Sequence, residues 1–121
     1  VSISKIPEFI ERADKSLRAM IPGIRLVCFG HVGDGNLHYN QSKPSEMDSI
    51  TFRKYESSIH DIVHATATEL NGSISAEHGI GRLKQEDFLK YKNPTALDVM
   101  KKIKKALDPN NIFNPGRVLP R

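Results

Sequence analysis

Cysteine is almost absent from this chain. Cys28 is the only one in 121 residues, so no intrachain disulfide can staple the fold. It lies among Leu26, Val27 and Phe29 in a strand-like run, where it reads as a small buried hydrophobe rather than a nucleophile. Such usage fits a reducing compartment. No apolar run approaches the roughly 20 residues that cross a bilayer, and the N-terminus lacks the basic-then-apolar order of a signal peptide, so no transmembrane segment is expected. There are no internal repeats and no low-complexity segment. No RNP-like, zinc-finger or helix-turn-helix signature occurs, so no nucleic acid partner is expected.

What is present is an ordinary soluble composition, 38% hydrophobic and 26% charged, enough for one core and too little for two comfortable ones. We expect one domain over residues 1–121, or part of one. The chain opens on Val1 rather than Met, as a processed chain or a fragment would. The formal charge of +4 suits an anionic ligand or a nucleic acid, and charge alone does not choose between them. Much of the excess lies in Lys101, Lys102, Lys104 and Lys105. Between them Val99, Met100, Ile103, Ala106 and Leu107 form a helical apolar stripe, so these lysines are the wet face of an amphipathic helix.

The most informative stretch runs from Gly30 to Asn40. Asp34-Gly35 favours a two-residue hairpin turn, because both central positions of that turn need positive φ. Strand-like flanks, Arg25 to Phe29 and Leu37 to Asn40, stand on either side. With that turn His31 would face His38 directly, and Phe29, His31, His38 and Asn40 would share one face. Two imidazoles at that separation can reach one divalent ion, or they can simply be solvent-facing histidines.

Around the hairpin, the spacing predicts a helix over residues 7–20, a long one over residues 47–70, a short one over residues 85–91 and a last one from Asn93-Pro94 to about Leu107. Asn93 is its cap, and Asp108-Pro109 stops it. The tail through Ile112, Phe113, Val118 and Leu119 is turn-rich yet apolar enough to pack. His60 and His64 stand at i, i+4, but no glutamate follows His60 as a zinc protease requires, so they read as half-exposed helix histidines. Residues 73–76 read as a short strand leading into Glu77-His78-Gly79-Ile80-Gly81. A loop bounded by glycine right after a strand lets side chains project from a rigid edge. Beside the hairpin, Glu77 would complete two histidines and a carboxylate with coordination positions open. His78, diverging from Glu77 on extended backbone, would then be a general base. A turn-stabilising Glu-His pair is the alternative.

Three motifs in order, Gly30 to His38, Gly72 to Gly81, and Leu107-Asp108-Pro109 with Ile112-Phe113-Asn114-Pro115-Gly116, resemble the C-terminal domain of FAD-linked oxidases. These are flavoproteins of the vanillyl-alcohol-oxidase type, among them D-lactate, D-2-hydroxyglutarate and glycolate dehydrogenases. The resemblance implies an α+β fold: an antiparallel sheet with helices packed on one side, the ferredoxin-like substrate or cap domain of these enzymes. This chain would supply only part of it, and the N-terminal FAD-binding domain would lie outside it. An open sheet edge, and with it exposed apolar surface or a homodimer, is the expected consequence.

The resemblance also implies the site. Positions matching His31, His38 and Glu77 bind a divalent ion, usually zinc, with manganese or ferrous iron as alternatives of the same ligand chemistry. His78 matches the base, Asn40 a substrate contact, and Asn114 lies in the tail that approaches FAD. The implied activity is oxidation of a small D-2-hydroxy acid by hydride transfer to flavin, with the fragment alone inactive. The implied location is bacterial cytoplasm or membrane periphery, or a mitochondrial matrix. Two other readings compete with this one. A ferrous dioxygenase commonly has His-x-Asp or His-x-Glu, which this sequence lacks. A basic polyanion-binding or structural metal module without catalysis would show steep salt dependence.

Overall fold

The computed structural model describes residues 1–120. The chain divides into two compact units, Val1–Ala76 and a second that begins at Glu77. Among the described residues no helix is long and apolar enough to cross a membrane.

The first unit starts from α1 (Ile6–Met20), which carries Pro7 in its first turn and buries Ile6, Phe9, Ala13 and Leu17, a helical stripe three or four residues apart. The helix closes with the Ile21 amide donating to the Leu17 carbonyl at 2.8 Å. Two antiparallel strands follow, β1 (Arg25–His31) and β2 (Asn36–Ser42). Their connection is longer than the two-residue turn expected. Val32–Asp34 form a 3-10 turn and Gly35 alone takes the left-handed conformation, at φ 68°. One glycine thus carries the positive φ that a two-residue turn would also have imposed on Asp34. The chain terminus grips this loop. The Val1 ammonium donates to the Gly35 carbonyl at 3.0 Å, and a Cβ on Gly35 would stand 2.0 Å from the Val1 carbonyl oxygen.

The longer loop corrects the register. Phe29 faces His38 and His31 faces Asn36, instead of His31 facing His38. The shift is two residues, so every side chain keeps its face. Leu26, Leu37 and Tyr39 point inward onto two buried clusters, Phe9, Ala13, Ala67 and Leu70 in one and Leu17, Ile21, Ile24 and Ile59 in the other. Tyr39 joins both. Its ring meets Phe9 edge-on at 5.5 Å, and its hydroxyl donates to Asp14 at 2.6 Å. Burial, reinforced by that bond to Asp14, pushes the phenol well above its ordinary pKa.

The single helix expected over residues 47–70 is two, α2 (Ser49–Arg53) and α3 (Glu56–Glu69). Asp48 caps α2 by accepting from the Ile50 and Thr51 amides, both at 2.9 Å. Tight i→i−3 bonds, Lys54 to Thr51 and Tyr55 to Phe52, interrupt the ladder. Phe52 and Tyr55 pack on the Ile59 cluster, while Ile50 is left 76% exposed. All helices of this unit that reach the core lie on the inner side of the hairpin, the α+β arrangement of a partial sheet with helices on one side.

Residues 73–76 are not a strand. No further strand stands beside them, and the Ser73 hydroxyl bonds locally, donating to the Ser75 carbonyl at 2.9 Å, which competes with ladder formation. In the second unit, α4 (Gln85–Tyr91) and α5 (Pro94–Leu107) fall where expected. Asn93 caps α5 by accepting from the Thr95 and Ala96 amides at 2.9 and 3.2 Å. After α5, the Asp108 carboxylate accepts from the Ile112 and Phe113 amides at 2.8 and 2.9 Å and from the Lys104 ammonium. The tail therefore turns on a carboxylate rather than on apolar packing, and Ile112 and Phe113 stay exposed.

Candidate functional site

The outer face of the hairpin carries what the inner face does not bury. Val27 and Phe29, 55% and 54% exposed, stand in a row with His31, His38 and Asn40. The His38 ring stacks on Phe29, centroids 5.0 Å apart and planes 8° from parallel. That contact holds the imidazole upright. His31, two residues along, meets His38 edge-on at 6.3 Å. Gly30 between Phe29 and His31 is required: its φ is 147°, and a Cβ there would stand 2.4 Å from the Asn36 carbonyl oxygen.

Residue types and spacing fit a divalent ion. An imidazole reaches an ion about 3 Å from its ring centre, so rings 6.3 Å apart stand at the outer limit of what one ion spans. Asn36 supplies the support that such ligands usually have. It is buried, it pairs with His31 in the register, and its amide lies 3.2 Å from His31 Nδ1. The amide nitrogen is the atom that faces the ring, so the contact orients the His31 imidazole through Nδ1. Asn40, opposite Val27, points to the same face as both histidines. Sequence reasoning brought His31, His38 and Asn40 to one face but overlooked Asn36. Its position opposite His31 follows only from the correct register.

In the second unit Glu77 and His78 stand on a bend, both exposed. On bent rather than extended backbone they do not diverge: a carboxylate oxygen of Glu77 and a ring nitrogen of His78 lie within 4.8 Å of each other. Asn114 is exposed in the tail at φ 46°, a conformation asparagine tolerates, and its carbonyl accepts from the Arg117 amide at 3.1 Å. Elsewhere, His60 and His64 stack at 5.6 Å on α3, one exposed and one half-buried. Cys28 is half-buried on the inner face of the hairpin, where burial pushes its thiol up and away from thiolate chemistry.

The family model described as FAD linked oxidases, C-terminal domain, matches residues 1–118. The chain is 41% identical over 119 residues to a D-2-hydroxyglutarate dehydrogenase of Stutzerimonas stutzeri (strain A1501), a span of 98% of this chain and 25% of that protein. It is 40% identical over 118 residues to a D-lactate dehydrogenase of Anaerostipes hadrus, 98% of this chain and 24% of the relative. Against the mitochondrial D-2-hydroxyglutarate dehydrogenase of Danio rerio the identity is 37% over 119 residues, 98% of this chain and 21% of the relative. The chain spans about a quarter of the length of the curated relatives it matches. On the match over residues 1–118, it belongs to the family of FAD linked oxidases, C-terminal domain.

Proposed function

We propose that this chain is the substrate-side, C-terminal part of an FAD-dependent dehydrogenase that oxidises a D-2-hydroxy acid to the 2-oxo acid. The observation that carries the reading is the exposed hairpin face on which His31, His38 and Asn40 stand together in a chain of this family. The relatives named above are dehydrogenases of D-2-hydroxyglutarate and D-lactate, which supports the substrate class.

In this reading His31, His38 and Glu77 are the ligands of a divalent ion, with zinc first and manganese or ferrous iron next by ligand type. The ion supplies positive charge for the substrate's carboxylate and hydroxyl, and the flavin, approached by Asn114, supplies the two-electron acceptor. The chain's own contribution is proton handling and orientation. His78 takes the hydroxyl proton as the C–H bond gives up its hydrogen with both electrons, so that the C–O single bond becomes a carbonyl. Asn40 donates its amide to the substrate and fixes which C–H bond faces the acceptor.

The experiment is metal analysis and anaerobic flavin bleaching of the full-length protein with a panel of D- and L-2-hydroxy acids. His38→Ala and Glu77→Ala should each lower bound metal, and bleaching by a D-acid should be lost on chelation and restored by zinc or manganese. Variant His78→Ala should keep metal and flavin and lose roughly 10²–10⁴ of turnover. Unchanged metal content in both ligand variants removes the metal site, and near-normal turnover of His78→Ala removes the base.

A further inference from the structure

We propose that Arg82, Gln85 and Arg117 form an oxyanion-binding pocket in the second unit, one that takes a phosphate or carboxylate group of a small molecule. Local backbone brings these residues together. Arg82 lies in a tight turn closed by Lys84 to Ile80 and Gln85 to Arg82 bonds, both 3.3 Å, which sets Arg82 and Gln85 at the entrance to α4. The tail then returns to this turn: the Val118 amide donates to the Gly81 carbonyl at 2.8 Å. That bond joins the residue after Arg117 to the residue before Arg82, so the two guanidiniums rise from adjoining strands of backbone. Val118 holds the tail in place at φ 61°, and a 2.6 Å bond from the Leu119 amide to the Arg117 carbonyl closes a γ-turn around it. A β-branched residue in this conformation is strained, and such strain concentrates at ligand clamps.

Chemistry follows from the lining. Arg82, Gln85, Asn114 and Arg117, with the Pro115-Gly116 turn and Pro120, line an open pocket of about 650 Å³. Among the described residues no acidic side chain lines it and neither guanidinium has an ion-pair partner. The Gln85 Nε2 atom is buried without a hydrogen-bond acceptor. Gln85 also lines the pocket, so a modest turn of its side chain brings this unsatisfied donor to a bound oxygen. Two planar forks and an amide N–H, all donors and with no competing carboxylate, match the oxygens of a phosphate or carboxylate, which guanidinium binds through paired hydrogen bonds. Two sources share this chemistry: the pyrophosphate of a dinucleotide cofactor and a carboxylate of a dicarboxylic acid. The inference stands on these donors alone and does not depend on the metal or the base proposed above.

The test is calorimetric titration of this chain, at constant ionic strength, with inorganic phosphate, ADP and glutarate as probes. Saturable binding of phosphate is expected, weakened roughly tenfold or more by Arg82→Ala or Arg117→Ala and lost in Gln85→Glu, which puts a carboxylate where the donor stood. Arg117→Lys should fall between, because it keeps the charge and loses the fork. The double variant Lys101→Gln, Lys105→Gln removes two positive charges on α5 and should leave binding within about twofold. Tighter ADP than glutarate assigns the pocket to a cofactor phosphate, and the reverse order assigns it to a dicarboxylate; either supports the pocket. Thermal melts of each variant separate lost binding from lost fold. Absence of saturable binding in the unmodified chain overturns the proposal. So does wild-type affinity in both arginine variants, or an equal loss in the lysine control.

Discussion

Among the described residues nine buried apolar side chains, Ile6, Phe9, Ala13, Leu17, Ile21, Ile24, Ile59, Ala67 and Leu70, belong to the first unit, whereas the second buries Phe88 and Leu97. The second instead turns on polar anchors: Asn93 at the start of α5, Asp108 at its end, and the Val118 to Gly81 bond in the tail. One unit is held by removal of apolar surface from water, the other by satisfied backbone groups. The division follows the chemistry proposed. His31, His38 and Asn40 stand on the packed hairpin, where geometry can be held, while Glu77, His78 and Asn114 stand on bends and turns. Residues that must adjust to a ligand sit on the less densely packed part of the chain.

The sharpest way to break this comparison is Leu17→Ala. Leu17 is fully buried, so its loss should cost about 2–5 kcal/mol, read from urea melts. A cost under about 1 kcal/mol would mean that the first unit is not held by its core. Next comes Gly30→Ala. At φ 147° and with the Asn36 carbonyl 2.4 Å from the new Cβ, the backbone strain should cost of order 1–3 kcal/mol. Its signature is local: the His31 and His38 ring resonances should move more than those of His60 and His64.

The second unit gives a smaller number by a different route. Asn93→Ala removes the acceptor for two first-turn amides of α5 and should cost about 1 kcal/mol, with amide exchange rising first at Thr95 and Ala96. Asp108 adds a pH dependence. The Lys104 ammonium bonded to it, together with the Ile112 and Phe113 amides, holds its carboxyl below the usual range. A carboxyl depressed in the folded state stabilises it above the unfolded value near ~3.9, and that contribution fades as pH falls through the depressed value. Amides of residues 112 and 113 should therefore lose protection on acidification below about pH 4, and Asp108→Asn should abolish this acid response.

How much was legible in the sequence depended on how local the cause was. The stripe of α1, the Asn93 cap and the alternation of the hairpin faces are set within a few residues, and all three were read. The hairpin loop was misread because a 3-10 turn over Val32–Asp34 with Gly35 alone at positive φ reverses the chain as well as a two-residue Asp34-Gly35 turn does, and the dipeptide does not choose between them. Its face assignment survived, since a slip of two residues preserves parity. The expected strand at residues 73–76 has no partner strand, and the break between α2 and α3 comes from the packing of Phe52 and Tyr55 rather than from a glycine or proline. For the candidate site the same rule holds. His31, His38 and Asn40 could be grouped by alternation. Asn36 required the true register, and the placing of Arg82 and Arg117 on one pocket required the return of the tail to Gly81.

The smallest effect expected is at the surface that joins α1 to the end of α3. Arg12 pairs there with Glu69, and both side chains are largely in water. An exposed pair gives back in side-chain entropy much of what it gains in Coulomb energy, so Glu69→Ala should cost less than about 1 kcal/mol. Salt separates this contribution from the core. Raising ionic strength from about 0.15 to 1 M shortens the screening length from roughly 8 to 3 Å, and the difference between Glu69→Ala and the unmodified chain should shrink toward zero. The Leu17→Ala deficit should persist, because burial of a leucine involves no charge to screen. A Glu69→Ala cost that exceeds about 1 kcal/mol and survives 1 M salt would place part of the first unit's stability in this ion pair, and the contrast between the two units would narrow accordingly.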